Sequence, residues 1–94
     1  MISDEFEWDD AKAAQNYRDH DVTFEMACEV FRDPFVLGWI DERQDYGEDR
    51  YMAIGMVQGR LYCVAYTMRR ERTRIISARG AEPYEKRKYH EESD

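Results

Sequence analysis

The chain has 94 residues, enough for one domain and too few for two. Apolar residues make up 43% and aromatics 14%, which excludes a disordered chain despite 37% charged residues, and no apolar run approaches the ~20 residues that cross a bilayer. The net charge of −7 hides a segregation: residues 1–59 hold five Lys/Arg against fifteen Asp/Glu, whereas residues 60–90 hold nine against three.

Taken from the start, Met1-Ile2-Ser3-Asp4-Glu5 has no basic region and no signal-type apolar stretch, so a cytoplasmic protein is expected. Phe6-Glu7-Trp8 reads as a short strand or an extended lead-in. Asp9 or Asp10 is a plausible N-cap for a helix from Asp10 to about Asp19, broken at His20-Asp21. Thr23 can cap a second helix over residues 24–32, in which Phe24, Ala27, Cys28 and Phe31 follow the spacing of a buried face. Asp33-Pro34 ends it, because the residue before a proline resists the helical region.

From there the period changes. Residues 35–40, 50–56, 61–68 and 72–78 read as strands, separated by the polar loop 41–49, a turn at Gln58-Gly59 and a charged turn at 69–71. Pro83 suits a first helical turn, and residues 83–91 read as a short charged helix before an acidic tail. Consecutive strands with short connections imply antiparallel pairing. The expected fold is a single α+β domain over residues 1–94, with about four antiparallel strands, two N-terminal helices packed on one face and a short C-terminal helix. The other face is then open to carry polar and aromatic residues.

Cys28 and Cys63 stand far apart with no CxxC and no zinc spacing, so reduced, packed thiols are expected. No nucleotide loop, zinc motif or nucleophile elbow appears, and neither a metal nor a cofactor is called for. The basic C-terminal part can present an attractive face to phosphate that the net charge conceals, and the acidic part could meet a basic protein partner.

On the last strand, simple alternation sends Arg74, Ile76 and Ala78 one way and Thr73, Ile75, Ser77 and Arg79 the other. Arg79 ends the strand, where its planar guanidinium suits phosphate oxygens. Tyr62, Val64, Tyr66 and Met68 share one face of the preceding strand, and Tyr66 is the one placed to stack a base or orient a phosphate. Lys12, Asn16 and His20 fall at i, i+4, i+8 on one helix flank, with Trp8 a turn earlier. His20 could shuttle a proton near neutral pH, and Glu48 in the polar loop is a second possible base.

Several blocks, in order and at consistent spacing, resemble the BrnT family of toxins. They are Phe6-Glu7-Trp8-Asp9 with Lys12 and Asn16, and His20, Val22, Phe24, Glu25, Val30, Phe31, Asp33 and Pro34. Tyr46-Gly47-Glu48, Arg50-Tyr51 and Ala53-Ile54-Gly55 follow, then Val64, Tyr66-Thr67 and Arg74-Ile75-Ile76-Ser77-Ala78-Arg79. The resemblance implies a compact fold similar to RelE-type ribonucleases, metal-independent cleavage of cellular RNA with growth arrest, and neutralisation by a BrnA-like ribbon-helix-helix antitoxin that alone contacts operator DNA. In that setting Arg79, His20, Lys12, Tyr66 and Glu48 are the candidate catalytic residues, and Arg74, Arg72, Trp8 and Arg50 the candidate RNA-binding ones. Two positions depart from the family pattern. Asp21 stands where a glycine is usual after the histidine, and Gly80 where many members carry a basic residue. The competing expectations are a non-enzymatic antitoxin-binding module acting as co-repressor, or a degenerate toxin.

Overall fold

A computed structural model describes every residue except Gln44, Tyr46 and Asp94. In chain order the elements are β1 (Phe6–Glu7), α1 (Asp10–His20), α2 (Phe24–Val30), β2 (Leu37–Ile40), β3 (Tyr51–Val57), β4 (Arg60–Arg69), β5 (Arg72–Gly80) and α3 (Pro83–Ser93). They build an α+β structure around one sheet with strand order β1-β5-β4-β3-β2.

Two expectations are corrected. The sheet has five strands rather than four, and it is mixed, because β1 pairs parallel with β5 through Phe6↔Thr73 and Glu7↔Arg74. The two N-terminal helices do pack on one face as expected, but the other face is not left wholly open. Trp8, Val22, Phe24, Ala27 and Val30, from the α1 and α2 region, bury Ala53, Tyr62, Val64, Ile75 and Ala78. Tyr89 of α3 instead packs with Met52, Ile54, Leu61 and Cys63 on the opposite face. A thin sheet with apolar residues on both faces needs a cover on each, and α3 supplies the second one over one end only.

The local signals act as their chemistry requires. The Asp9 carboxylate accepts from the N–H groups of Ala11 and Lys12 at 2.8 and 3.1 Å, satisfying two orphan donors at the start of α1. Asp21 ends the helix in the left-handed region at φ 58°, a conformation that favours glycine, and its N–H donates to the Tyr17 carbonyl. Thr23 caps α2 through the Met26 N–H. Asp33, at the end of the α2 turn, accepts from the Phe35 N–H at 2.9 Å, the Met56 N–H at 2.7 Å and the Tyr89 hydroxyl at 2.6 Å. One carboxylate therefore ties the approach to β2, strand β3 and helix α3 together. These bonds hold its pKa low although burial pushes it up, and burial together with Asp33 raises the Tyr89 hydroxyl to about 12.

Gly55 sits where α2 crosses β3: a Cβ there would lie 2.7 Å from the Val30 carbonyl oxygen and 2.7 Å from its Cγ1. Asn16 holds α1 against β5. Beyond Arg74, β1 no longer follows β5. At Ala78 the buried Asn16 amide takes the place of a strand, donating to the Ala78 carbonyl at 2.8 Å and accepting from its N–H at 3.0 Å. The same amide group donates to the Val22 carbonyl at 2.9 Å. All of the side chain's strong polar capacity is thus spent on backbone that would otherwise be buried without partners.

Candidate functional site on the open sheet face

The placement of the basic side chains turns on one irregularity. Up to Ala65↔Ser77 the β4–β5 register is regular, but Tyr66 pairs with Ile75, leaving Ile76 as an extra residue in β5. Such a bulge resets the alternation. Ile75 and Ala78 both enter the α1/α2 core, and Arg74, Ser77 and Arg79 all fall on the opposite face. The expectation that Arg74 and Arg79 diverge is therefore corrected: the bulge brings them together.

The register then builds rows across that face. One row runs Glu7, Arg74, Thr67, Arg50, Asp41, through the pairs Glu7↔Arg74 and Arg74↔Thr67 and the 2.7 Å bond from the Asp41 N–H to the Arg50 carbonyl. The next row, about 7 Å along the strands, is Ser77, Ala65, Met52, Trp39, and the third begins with Arg79 and Cys63. On the far side of the first row stand Arg69 and Arg72. Five arginines thus frame a floor of small and neutral side chains.

Each of these arginines has an identifiable setting. Arg74 is held to Glu7 at 2.5 Å, with Glu7 itself buried. Glu48 stands 3.8 Å from Arg50 and 3.7 Å from Arg69. Arg72 donates to the Ser3 carbonyl at 2.7 Å and so anchors the N-terminal segment. The Thr67 hydroxyl donates to the Asp49 carbonyl at 2.6 Å and fixes the end of the polar loop over the row. Arg79 forms a two-pronged pair with Glu85 of α3, at 2.8 and 3.1 Å, and Glu85 is only 1% exposed. Burial raises the Glu85 pKa, but Arg79 and the Glu82 N–H outweigh it and hold the carboxyl below its ordinary value. The same hydrogen bonds raise the Arg79 pKa, and burial with the Glu85 charge pushes the nearby Cys63 thiol up to about 12. Both cysteines are free thiols.

The remaining expected site residues divide clearly. Because Asn16 grips Ala78 while Glu7 sits beside Arg74, α1 advances along β5. Lys12 and His20, exposed and one helical repeat to either side of Asn16, flank that edge of the sheet. Tyr66 and Trp8 are corrected. Tyr66 lies on the α1/α2 face, edge-on to Phe31 at 4.9 Å and stacked with Tyr51 at 5.4 Å, and burial raises its pKa. Trp8 is 6% exposed and packs edge-on against Phe24. Trp8 is buried and Tyr66 half-buried, because the alternation that directs Tyr62 and Val64 toward the α1/α2 side takes Tyr66 with them, away from the arginines. Tyr46, quoted with the Gly47-Glu48 block, lies outside the described residues.

A model of the ribonuclease toxin BrnT, of type II toxin–antitoxin systems, matches residues 8–85. The chain belongs to the BrnT family. No curated protein matches the chain. The matched span runs from the tryptophan that leads into α1 to the glutamate that holds Arg79, so for this BrnT member it takes in the arginines of the open face and the Arg79–Glu85 pair, with Glu7 just outside it. A type II family implies an antitoxin as partner, and among the described residues no helix is long and apolar enough to cross a membrane.

Sequence reasoning missed four contributors to this face, the first being Arg69, which it read only as part of a charged turn. Trp39 reads as part of a uniform apolar run, yet it points to the arginine side, with the Lys88 ammonium 4.7 Å from its ring centroid. Thr67 and Glu7 are ordinary strand residues by type, and only the cross-strand register places them between arginines.

Proposed function

We propose that the chain is a metal-independent endoribonuclease that arrests growth by cutting cellular RNA in the cytoplasm, with its active centre on the open half of the sheet face. The observation that carries this reading is the row Arg74–Thr67–Arg50 with Glu48 beside it. RNA brings its own nucleophile, the 2′-OH. The protein must remove that proton, neutralise the phosphorane and protonate the departing 5′-oxygen. Glu48 is the base, poised between Arg50 and Arg69. Arg50 and Arg74 meet the phosphate oxygens, exchanging their carboxylate neighbours for phosphate. Water at the β5 edge returns the proton to the 5′-oxygen, with Lys12 adding charge there, whereas His20, one helical repeat beyond Asn16 and its Ala78 contact, stands further along β5 and belongs to the α1 alternative. The products are a 2′,3′-cyclic phosphate and a 5′-hydroxyl. Neutralisation falls to a BrnA-like antitoxin with a ribbon-helix-helix part, which alone carries the complex to operator DNA.

The test is cleavage of total RNA by the antitoxin-free protein, with and without EDTA, alongside Arg74→Gln and Glu48→Gln. Cleavage that survives EDTA, leaves cyclic phosphate ends and falls about 100-fold or more in Glu48→Gln supports the assignment. Full activity in Glu48→Gln with loss in a His20→Gln variant would transfer the base to α1. A second reading, an antitoxin-binding module without activity, is favoured by one observation, the closure of Arg79 on Glu85. Absence of cleavage by folded wild-type protein, with and without translating ribosomes, would establish that reading instead.

A further inference from the structure

Beside the arginine row, β2 and α3 leave a cleft of about 380 Å³ whose walls include Trp39, Met52 and Arg79 from the sheet and Tyr84 and Lys88 from the helix. Trp39 is half-buried and Tyr84 is 52% exposed. The indole stands three strands across the sheet from Arg74, but Arg50 leads into the neighbouring strand, about 7 Å along the strands from the Trp39 row. That is the reach of one nucleotide from its phosphate to its base. Its π-face is occupied by the Lys88 ammonium at 4.7 Å, a charged group on a long flexible stem at the protein surface.

We infer that this cleft is a nucleobase subsite, in which a purine next to the scissile phosphate stacks on Trp39 while Lys88 swings from the ring to a neighbouring phosphate. The inference rests on the ribonuclease reading and adds to it the residue that selects the base. An aromatic ring with a phosphate-binding row one nucleotide away is the arrangement by which sheets hold single-stranded RNA. Base stacking tolerates any base but gains with overlap, so a purine outcompetes a pyrimidine on an indole. The cleft volume accommodates the larger ring. Tyr66 and Trp8, the aromatics expected to do this from sequence, lie on the opposite face, half-buried and buried respectively, which leaves Trp39 as the indole beside the arginines.

The chain contains two tryptophans, and Trp8 is buried, so quenching of intrinsic fluorescence by added RNA reports on Trp39. The full-length protein is titrated at low salt with non-cleavable 2′-O-methyl pentamers of adenylate and of uridylate. The expected result is quenching by both, with tighter binding of the adenylate. Trp39→Ala should weaken adenylate binding about 5- to 150-fold and erase the preference for it, as read by fluorescence anisotropy of labelled pentamers. Trp39→Phe, which preserves the packing on Met52, should fall between wild type and Trp39→Ala. Trp39→Phe therefore decides the matter if the alanine variant fails to fold. Unquenched fluorescence on RNA binding would overturn the inference, as would Trp39 variants that keep wild-type affinity and preference. Cleavage of total RNA by wild type is scored separately. Active wild type with indifferent Trp39 variants removes the base subsite and leaves the ribonuclease reading intact, whereas an inactive wild type removes that reading.

Discussion

Truncating Arg79 should destabilise the fold strongly, so that its effect on stability must be read before any effect on chemistry. Glu85 is 1% exposed and accepts two hydrogen bonds from Arg79, at 2.8 and 3.1 Å. Arg79→Ala leaves that carboxylate with the Cys63 thiol, the Glu82 N–H and a long bond from the Tyr84 hydroxyl, and with no cation paired to it directly. Removing one partner of a buried pair costs about 3–5 kcal/mol, because the other charge is stranded. For a domain of this size the whole stability is about 5–15 kcal/mol. Each kcal/mol moves the midpoint by about 4–8 °C, so the single variant should melt roughly 12–40 °C below wild type. Adding Glu85→Gln removes the stranded charge and should restore most of that loss. The assay is thermal unfolding by circular dichroism for wild type, both single variants and the double. Because the folded Glu85 pKa lies below its ordinary 4.5, its contribution is complete above that pH and is lost as pH falls through the depressed value. The Glu85→Gln protein should accordingly show a flatter melting profile below about pH 4.5. An Arg79→Ala protein that melts within a few degrees of wild type, with no gain from Glu85→Gln, would refute the reasoning and would free Arg79 for a catalytic part.

Three further outcomes follow from the packing. Asn16→Ala should cost at least about 2 kcal/mol in urea denaturation, because it strands the N–H and carbonyl of Ala78 and the carbonyl of Val22. Gly55→Ala should cost about 1–3 kcal/mol, and Val30→Ala should not rescue it, since the Val30 backbone oxygen lies 2.7 Å from the new methyl group. Asp21→Gly should match or exceed wild-type stability by up to about 1 kcal/mol while Asp21→Ala falls below it, which a melting series would resolve, since Asp21 holds φ 58°.

Elements whose boundaries are written locally were legible in the sequence. Asp9 and Thr23 cap their helices as side-chain oxygens one step before an apolar periodicity should, and Pro83 opens α3 as expected. What escaped is non-local. Nothing in Phe6-Glu7 announces a parallel partner 67 residues away in Thr73-Arg74. The bulge at Ile76 carries no glycine or other marker, yet it decides on which face Arg74 lies relative to Arg79. The face of Tyr66 was misjudged for a related reason. The sequence shows that Tyr62, Val64 and Tyr66 share a side, but only the position of α2 shows that this side is the covered one. Of the candidate site, Arg50, Arg72, Arg74, Arg79 and Glu48 were named from residue type, whereas Arg69 was read only as part of a charged turn and Trp39 was passed over, because an apolar run of strand length gives no sign of which member faces charge.

The same register explains why a segregated charge distribution does not produce a bare cationic patch. The acidic N-terminal part supplies Glu7 to Arg74 and Glu48 to Arg50 and Arg69, and α3 supplies Glu85 to Arg79. RNA that docks on this face must replace carboxylates as well as release its own counterions, so its salt dependence should be shallower than the number of arginines suggests. Glu7→Gln isolates the effect, since it keeps the shape of the β1 side chain and removes the charge 2.5 Å from Arg74. With the guanidinium no longer neutralised, binding of a non-cleavable oligonucleotide should tighten. The slope of log K against log salt should steepen by about 0.7, the increment for one more phosphate contact on a single strand. An unchanged slope with unchanged affinity would mean that Arg74 meets no phosphate even when the Glu7 charge is gone, and the phosphate contacts would then have to come from Arg50 and Arg69.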